Sequence, residues 1–344
     1  MLVASAAEVA AVDTAPLQLG VGERLLVIAP HPDDEILAAG GLMTRVLDRG
    51  GTVWVALVTA GDGYVASMAH DAGGERPDPA SYISYGERRL REAHAAARII
   101  GKDRVRVQVL GFPDGALADL LDTHWRRSHP KRSQTTAASR PPYREVIDPS
   151  VEYTGADLHR ELVQLLRETQ PTTIVFPDPR DCHPDHGATG TFSLLAVATW
   201  KREARGPGTT TPRLLAYLVH WPNWPPGWYE APRSRLTDEP LHPPANLPDD
   251  GLGRTVLILS DGEVGAKARA LSRYASQQEL MPSFVAAFVR RTEPFGVFTI
   301  REVQRASTRS AARRWRHAAE SRGTHRRLSP LKTSSRCPGR GSDG

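Results

Sequence analysis

The chain has 344 residues, 24% of them charged, and only two cysteines, Cys182 and Cys337, which excludes the disulfide framework of a small secreted fold and leaves room for one large α/β domain. The formal net charge of +5 is uneven: residues 301–344 hold 12 Lys and Arg against 3 Asp and Glu, so the body before them is acidic and a body-wide basic nucleic-acid surface is excluded. No run approaches the roughly 20 apolar residues of a membrane span, and Met1 to Leu19 carries Glu8 and Asp13 where a signal peptide carries positive charge, so a cytoplasmic protein is expected.

Arg24 to Ala29 (RLLVIA) is an apolar run of buried-strand type that leads directly into Pro30-His31-Pro32-Asp33-Asp34-Glu35. Apolar residues then recur at helical spacing from Ile36 to Leu47, and the acids before them suit the positive end of a helix. Thr52 to Thr59 reads as a second strand, Gly86 to Ile100 as a helix with Gly101 as its C-cap, and Val105 to Leu110 as a third strand ending at Gly111-Phe112-Pro113-Asp114-Gly115. Residues 124–150 read as a polar insertion. Thr154 and Asp157 begin a helix to about Glu168, and Thr172 to Phe176 is a strand ending at Pro177-Asp178-Pro179-Arg180-Asp181-Cys182-His183-Pro184-Asp185-His186. A helix to about Trp200 follows, then a strand from Leu214 to His220, a second insertion over 221–252, a strand from Thr255 to Leu259 and a Ser260-capped helix reaching Ser276. This alternation predicts a mostly parallel sheet with helices on both faces, whose ligand lies beyond the carboxyl ends of the strands. The expected organisation is an extension over 1–21, a domain over 22–300 and a basic, disordered tail over 301–344.

Both His/Asp clusters fall at strand ends, so one crevice can hold them. A catalytic zinc needs three N or O ligands and an open position for water. His31, Asp34 and His186 supply such a set, with iron(II) an alternative occupant of the same donors. Asp33, the spare acid beside a ligand, suits a general base for that water. His183 suits a general acid, or an imidazolium that stabilises an oxyanion. Each motif alone has a plainer reading, as a solvated turn or a helix cap. Two of them at the ends of two parallel strands do not.

Pro30-His31-Pro32-Asp33-Asp34-Glu35 and His183-Pro184-Asp185-His186 together resemble the paired signatures of the LmbE-like, PIG-L-type deacetylases. The resemblance spans roughly residues 22–300. It implies a Rossmann-like fold around one zinc ion, with His31, Asp34 and His186 as ligands, Asp33 as base and His183 as acid. The implied substrate is an N-acetylglucosamine-type sugar or glycoconjugate. Arg89 and Glu92 look like the family's Arg-x-x-Glu segment, with the arginine toward substrate, or else form a surface ion pair on their helix. Asp114 matches a strand-end aspartate that contacts sugar hydroxyls, or else belongs to a Pro-Asp-Gly turn. Ser276-Gln277 matches a Ser-Gln pair near the family's site, or else marks a helix end. Where some relatives carry a tyrosine before the second motif, this chain has Asp181.

Trp221, Trp224, Trp228 and Tyr229 lie in one Pro-rich loop, as a stacking surface for sugar or as anchors of the loop. Cys182, His70, His220 and His242 are given no role. Two further readings stand beside the deacetylase: an amidase on another amide with the same zinc chemistry, and a binder of nucleic acid or an acidic partner acting through the tail. The acidic body argues against the second.

Overall fold

In the computed structural model, the residues described are 15–64, 77–203, 211–228, 239–248 and 252–305. Eight strands form one sheet: β1 (Ala15–Pro16), β2 (Arg24–Ala29), β3 (Thr52–Thr59), β4 (Val105–Phe112), β5 (Thr173–Pro177), β6 (Arg213–Tyr217), β7 (Gly253–Ile258) and β8 (Thr292–Phe298). Their order is β1-β7-β8-β6-β5-β2-β3-β4. Every neighbouring pair is parallel except the two made by β8, which runs antiparallel to β6 and β7. The helices are α1 (Asp34–Asp48), α2 (Pro79–Gly101), α3 (Leu117–Asp122), α4 (Gly155–Thr169), α5 (Pro184–Glu203), α6 (Asp261–Leu271), α7 (Ala275–Gln278), α8 (Pro282–Ala287) and α9 (Ile300–Arg305).

Helices cover both faces because successive strand residues point opposite ways. Leu25, Val27 and Ala29 of β2 pack with α1, α2 and α6. Leu26 and Ile28 pack with α3, α4 and α5 on the other side. The chain leaves β2 toward β3 and β4, then returns to place β5 on the opposite flank of β2. Such a reversal opens a crevice beyond the carboxyl ends of the two strands. The His31 and His186 segments follow β2 and β5, so both enter that crevice.

The structure departs from the sequence expectations at definite points. α2 begins seven residues before Gly86, with Asp78 accepting the Ser81 N–H as its cap. Gly101 is its last helical residue and Lys102 the C-cap, at φ 54°. A Cβ at Gly101 would fall 2.4 Å from Leu47 Cδ1, so close packing on α1 accounts for the glycine. β8 carries Pro294 and Gly296 inside a central strand, and α3 is only six residues long; neither presents a periodicity that can be read in advance. The helix after Ser260 has the expected capping box but stops at Leu271. α9 extends the folded body past residue 300, with Val303 buried against α5. The remainder of the tail, residues 306–344, lies outside the described residues, as do Tyr229 and His70. Among the described residues no helix is long and apolar enough to cross a membrane.

Candidate metal and hydrolase site

The first motif is shaped by its backbone. Asp33 is the N-cap of α1 at φ 122°, ψ −30°, a conformation that residues other than glycine rarely adopt. Its carbonyl accepts the N–H groups of Ile36 (3.0 Å) and Leu37 (2.9 Å), while its carboxylate makes no capping bond and stays available. The second motif opens α5. Gly190, in the second turn of that helix, lets it lie against the end of β5, since a Cβ there would meet Pro177 O at 2.2 Å.

The two motifs meet around one oxygen. Asp34 Oδ2 stands 3.3 Å from His31 Nδ1 and 3.2 Å from His186 Nε2. All three residues are buried, His186 completely. Burial opposes the carboxylate form of Asp34, but His186 and His31 hold its pKa well below the ordinary value. Burial likewise opposes a charged His186, yet Asp34 and Asp181 raise it to about 9. Neither ring nitrogen of His186 has a properly aligned hydrogen-bond partner. A fully buried imidazole in that condition carries a large desolvation cost unless something else takes its lone pair. Three N and O donors within 4.8 Å of one another fit a divalent cation.

A second cluster shares His31 and adds His183 and Asp185. Its donors are already engaged. Asp185 accepts the N–H groups of Gly115 (2.7 Å) and Leu117 (2.9 Å), and His183 Nδ1 accepts that of Asp185 (3.2 Å). His31, Asp34 and His186 thus form the less committed of the two donor sets that could hold a cation, while Asp185 ties the loop after β4 to α5.

The remaining predicted residues fall around this cluster. Asp33 lies behind Asp34, and its pKa is raised to about 8, chiefly by burial and against the pull of Arg89. His183 neighbours both other imidazoles, with centroids 5.0 Å from His31 and 5.2 Å from His186. Burial and those two rings lower its pKa to about 4. Since its Nδ1 accepts a backbone N–H, the neutral ring carries its proton on Nε2.

Arg89 forms no surface ion pair with Glu92. It is buried, donating to Gly61 O (3.0 Å) and Pro32 O (2.6 Å), with Nη2 3.4 Å from Asp33 Oδ1. Gly61, at φ 69°, has no room for a Cβ, which would lie 2.2 Å from Arg89 Nη1. Glu92 turns away to accept from the N–H and hydroxyl of Ser276, while Gln277 reaches Tyr85. Asp114 faces inward: Oδ2 accepts Gly63 N–H (2.7 Å) and Oδ1 lies 3.2 Å from His31 Nε2.

Three participants had no signal strong enough to find them in advance. Asp181 accepts the N–H groups of His183, Val219 and His220 and stands 3.5 Å from His186 Nδ1, the place of an outer carboxylate that orients a ligating histidine. His220, given no role from sequence, places its ring 4.7 Å from that of His186. Asp62 is buried beside Asp114 and held by Thr135 of the first insertion (2.8 Å). The tryptophan loop is anchored by its own indoles: Trp221 donates to Asn246 (2.8 Å) and Trp224 to the His242 carbonyl (2.8 Å). Trp228 stays half-buried against Phe284.

Known proteins resemble this chain in sequence and in fold. The family model described as PIG-L, GlcNAc-PI de-N-acetylase, matches residues 26–197, half of the chain. The 1D-myo-inositol 2-acetamido-2-deoxy-alpha-D-glucopyranoside deacetylase of Rhodococcus opacus is 30% identical over 274 residues, covering 76% of this chain and 83% of that one. Its counterpart in Rhodococcus erythropolis is 27% identical over 281 residues, with the same coverage. The diacetylchitobiose deacetylase of Thermococcus kodakarensis is 24% identical over 179 residues, 51% of this chain and 49% of that one. Among solved structures, the A40926 pseudoaglycone deacetylase Dbv21 shares the fold, with a TM-score of 0.50 and 19% identity over 80% of this chain and 96% of that chain. The matched segment runs from β2 through the second His/Asp motif, and the chain belongs to the PIG-L family of de-N-acetylases.

Proposed function

We propose that the protein is a zinc-dependent hydrolase that removes the acetyl group from an N-acetylglucosamine-type sugar or glycoconjugate, acting in the cytoplasm. The observation that carries this reading is the buried His31, Asp34 and His186 set, with neither His186 nitrogen in an aligned hydrogen bond and a strained Asp33 beside it. These three side chains would hold the metal. A bound zinc ion lowers the pKa of water to about 7 and polarises a carbonyl oxygen.

The protein's own groups divide the rest of the work. Asp33 accepts the proton of the attacking water, its carboxylate held by Arg89 at Oδ1 and not used to cap α1. A cation on neighbouring Asp34 opposes the rise that burial imposes on Asp33 and so favours the basic form. Neutral His183 donates a hydrogen bond from Nε2 to the carbonyl oxygen as charge develops there, and the proton that Asp33 takes from water goes on to the leaving nitrogen, since a neutral imidazole has none to give. Water adds to the acetyl carbon, the C–N bond breaks, and acetate and a free amine leave. Arg89 and Asp114 act through neighbours: Arg89 fixes Pro32 and Asp33, and Asp114 orients His31.

The test is acetate release by the zinc-loaded protein from N,N′-diacetylchitobiose, N-acetylglucosaminyl inositol and N-acetylglucosamine. Turnover of at least one, abolished by a chelator and restored by zinc, is expected. No release from any N-acetylated sugar by a protein that holds one equivalent of zinc would count against the reading.

A further inference from the structure

We infer that Glu35, clamped by Tyr274, is a positioning residue that holds Asp33 in its strained backbone conformation and so aims the proposed base. The inference rests on the function proposed above. Its geometry stands independently.

Asp33 at φ 122° needs something to pay for its conformation, because the left-handed side of the map costs a residue with a Cβ about 1–3 kcal/mol unless its surroundings over-determine it. Two contacts do so. From one side Arg89 donates to the Pro32 carbonyl at 2.6 Å, fixing the peptide that enters Asp33. From the other, Glu35 Oε2 accepts the Asp33 N–H at 3.0 Å, across a single intervening residue. An unbonded N–H there would be buried without a partner.

Glu35 cannot swing freely to make that bond. It is buried in the first turn of α1, and its other oxygen, Oε1, accepts the hydroxyl of Tyr274. Tyr274 is fully buried and is the N-cap residue of α7. α7 is itself tied to α2 through Ser276 and Glu92 (2.6 Å) and through Gln277 and Tyr85 (3.3 Å). A hydroxyl at the start of α7 thus sets a carboxylate of α1, and that carboxylate sets the backbone of the base. The metal-ligating atoms of His31, Asp34 and His186 are outside this chain of contacts. Its loss should disturb proton transfer more than metal binding.

Three variants of the full chain, zinc-loaded, test this. Glu35→Ala removes the acceptor and should lower kcat on the substrate that wild type turns over by about 10²-fold, the usual cost of misplacing a reacting group by about 1 Å. KM and the zinc content should stay near wild type. Glu35→Gln keeps an oxygen for the Asp33 N–H and an amide for Tyr274, and should remain within about fivefold of wild type. Tyr274→Phe removes one hydroxyl and should fall between the two. Crystal structures supply a readout that needs no substrate: φ of Asp33 should stay positive in wild type and Glu35→Gln and become negative in Glu35→Ala.

A Glu35→Ala protein with unchanged Asp33 φ would overturn the inference, as would one that loses zinc and activity together. A Glu35→Gln variant as slow as Glu35→Ala, with the acidic limb of its pH profile displaced, would also overturn it, because charge and not position would then be what Glu35 supplies. If Glu35→Ala does not fold, Tyr274→Phe with wild-type kcat and wild-type Asp33 φ is sufficient refutation. Failure of wild type to release acetate from any N-acetylated sugar would strike the proposed function and leave the crystallographic comparison to decide this one.

Discussion

Helix α1 meets buried charge twice, and the two places are built differently. At its middle, Ala39 leaves helical geometry (φ −140°), and the N–H groups of Gly41 (2.8 Å) and Leu42 (2.9 Å) donate to Glu293 of β8. That carboxylate pairs with Lys267 of α6 at 2.8 Å, both side chains being almost wholly removed from solvent, at 0% and 1%. The charged groups there find partners. At the N-terminal end of the same helix, Asp33, Asp34, Glu35, Asp181 and Asp185 are all buried, neither nitrogen of His186 makes an aligned hydrogen bond, and Asp33 is strained. Desolvation costs both clusters heavily. Where donors and acceptors match, the cluster serves the fold; where they do not, the mismatch leaves room for a ligand.

The largest expected effect lies at the mismatched end. His31→Ala, Asp34→Ala or His186→Ala should lower zinc content and turnover together, because a three-donor site reduced to two holds the ion poorly. Metal analysis of the purified variants beside acetate release measures both. A variant that is zinc-free and fully active would erase the distinction between the two clusters.

Asp33→Asn separates ligand from base. Zinc should remain near one equivalent while kcat falls by roughly 10² to 10⁴, the range for loss of a positioned base. Loss of zinc in this variant would move Asp33 into the ligand set.

The matched cluster should fail in stability alone. Lys267→Met leaves Glu293 buried without its counter-charge and should cost about 3–5 kcal/mol, read as a lowered denaturation midpoint. The folded fraction should keep its kcat. Adding Glu293→Gln removes the orphaned charge and should recover part of the loss. A kcat change at low temperature with unaltered stability would mean that this pair also serves the site.

A smaller effect concerns pH. With its pKa raised to about 9 by Asp34 and Asp181 against the effect of burial, the His186 ring must give up a proton before it can ligate. Raising the pH therefore favours the metal. Apparent zinc affinity should climb about tenfold per pH unit for each proton released, and the His186 contribution should level off above about 9. Competition with a chelator at several pH values reads the slope, and a flat profile between pH 6 and 8 would contradict the buried, charge-flanked setting of this ligand.

Much of the site was legible in the sequence. Strand β2 matched its expected limits because five consecutive residues buried on both faces leave an unmistakable apolar run, and the motif that follows is local. The acids and imidazoles of the two motifs sit at fixed short spacings, so their chemistry could be read without coordinates. The helix cap at Thr154 and the capping box at Ser260 are equally local, each set by one side chain and an N–H three residues away.

The set of donors, the alternation of strands and helices, and the mostly parallel sheet that carries both motifs to one crevice thus follow from local residue pattern. How the charges are shared follows from the packing of distant elements. Arg89 points at Pro32, 57 residues away, and not at Glu92. Asp181 stands behind His186, Asp114 behind His31, and Tyr274 reaches Glu35 across 239 residues. A hydrogen bond is directional and acts over about 3 Å, so its partner is chosen by which elements the fold brings together and not by what lies nearby in the chain. The same holds for β8, whose Pro294 and Gly296 carry no strand signal of their own and which is held in place by pairing with β6 and β7.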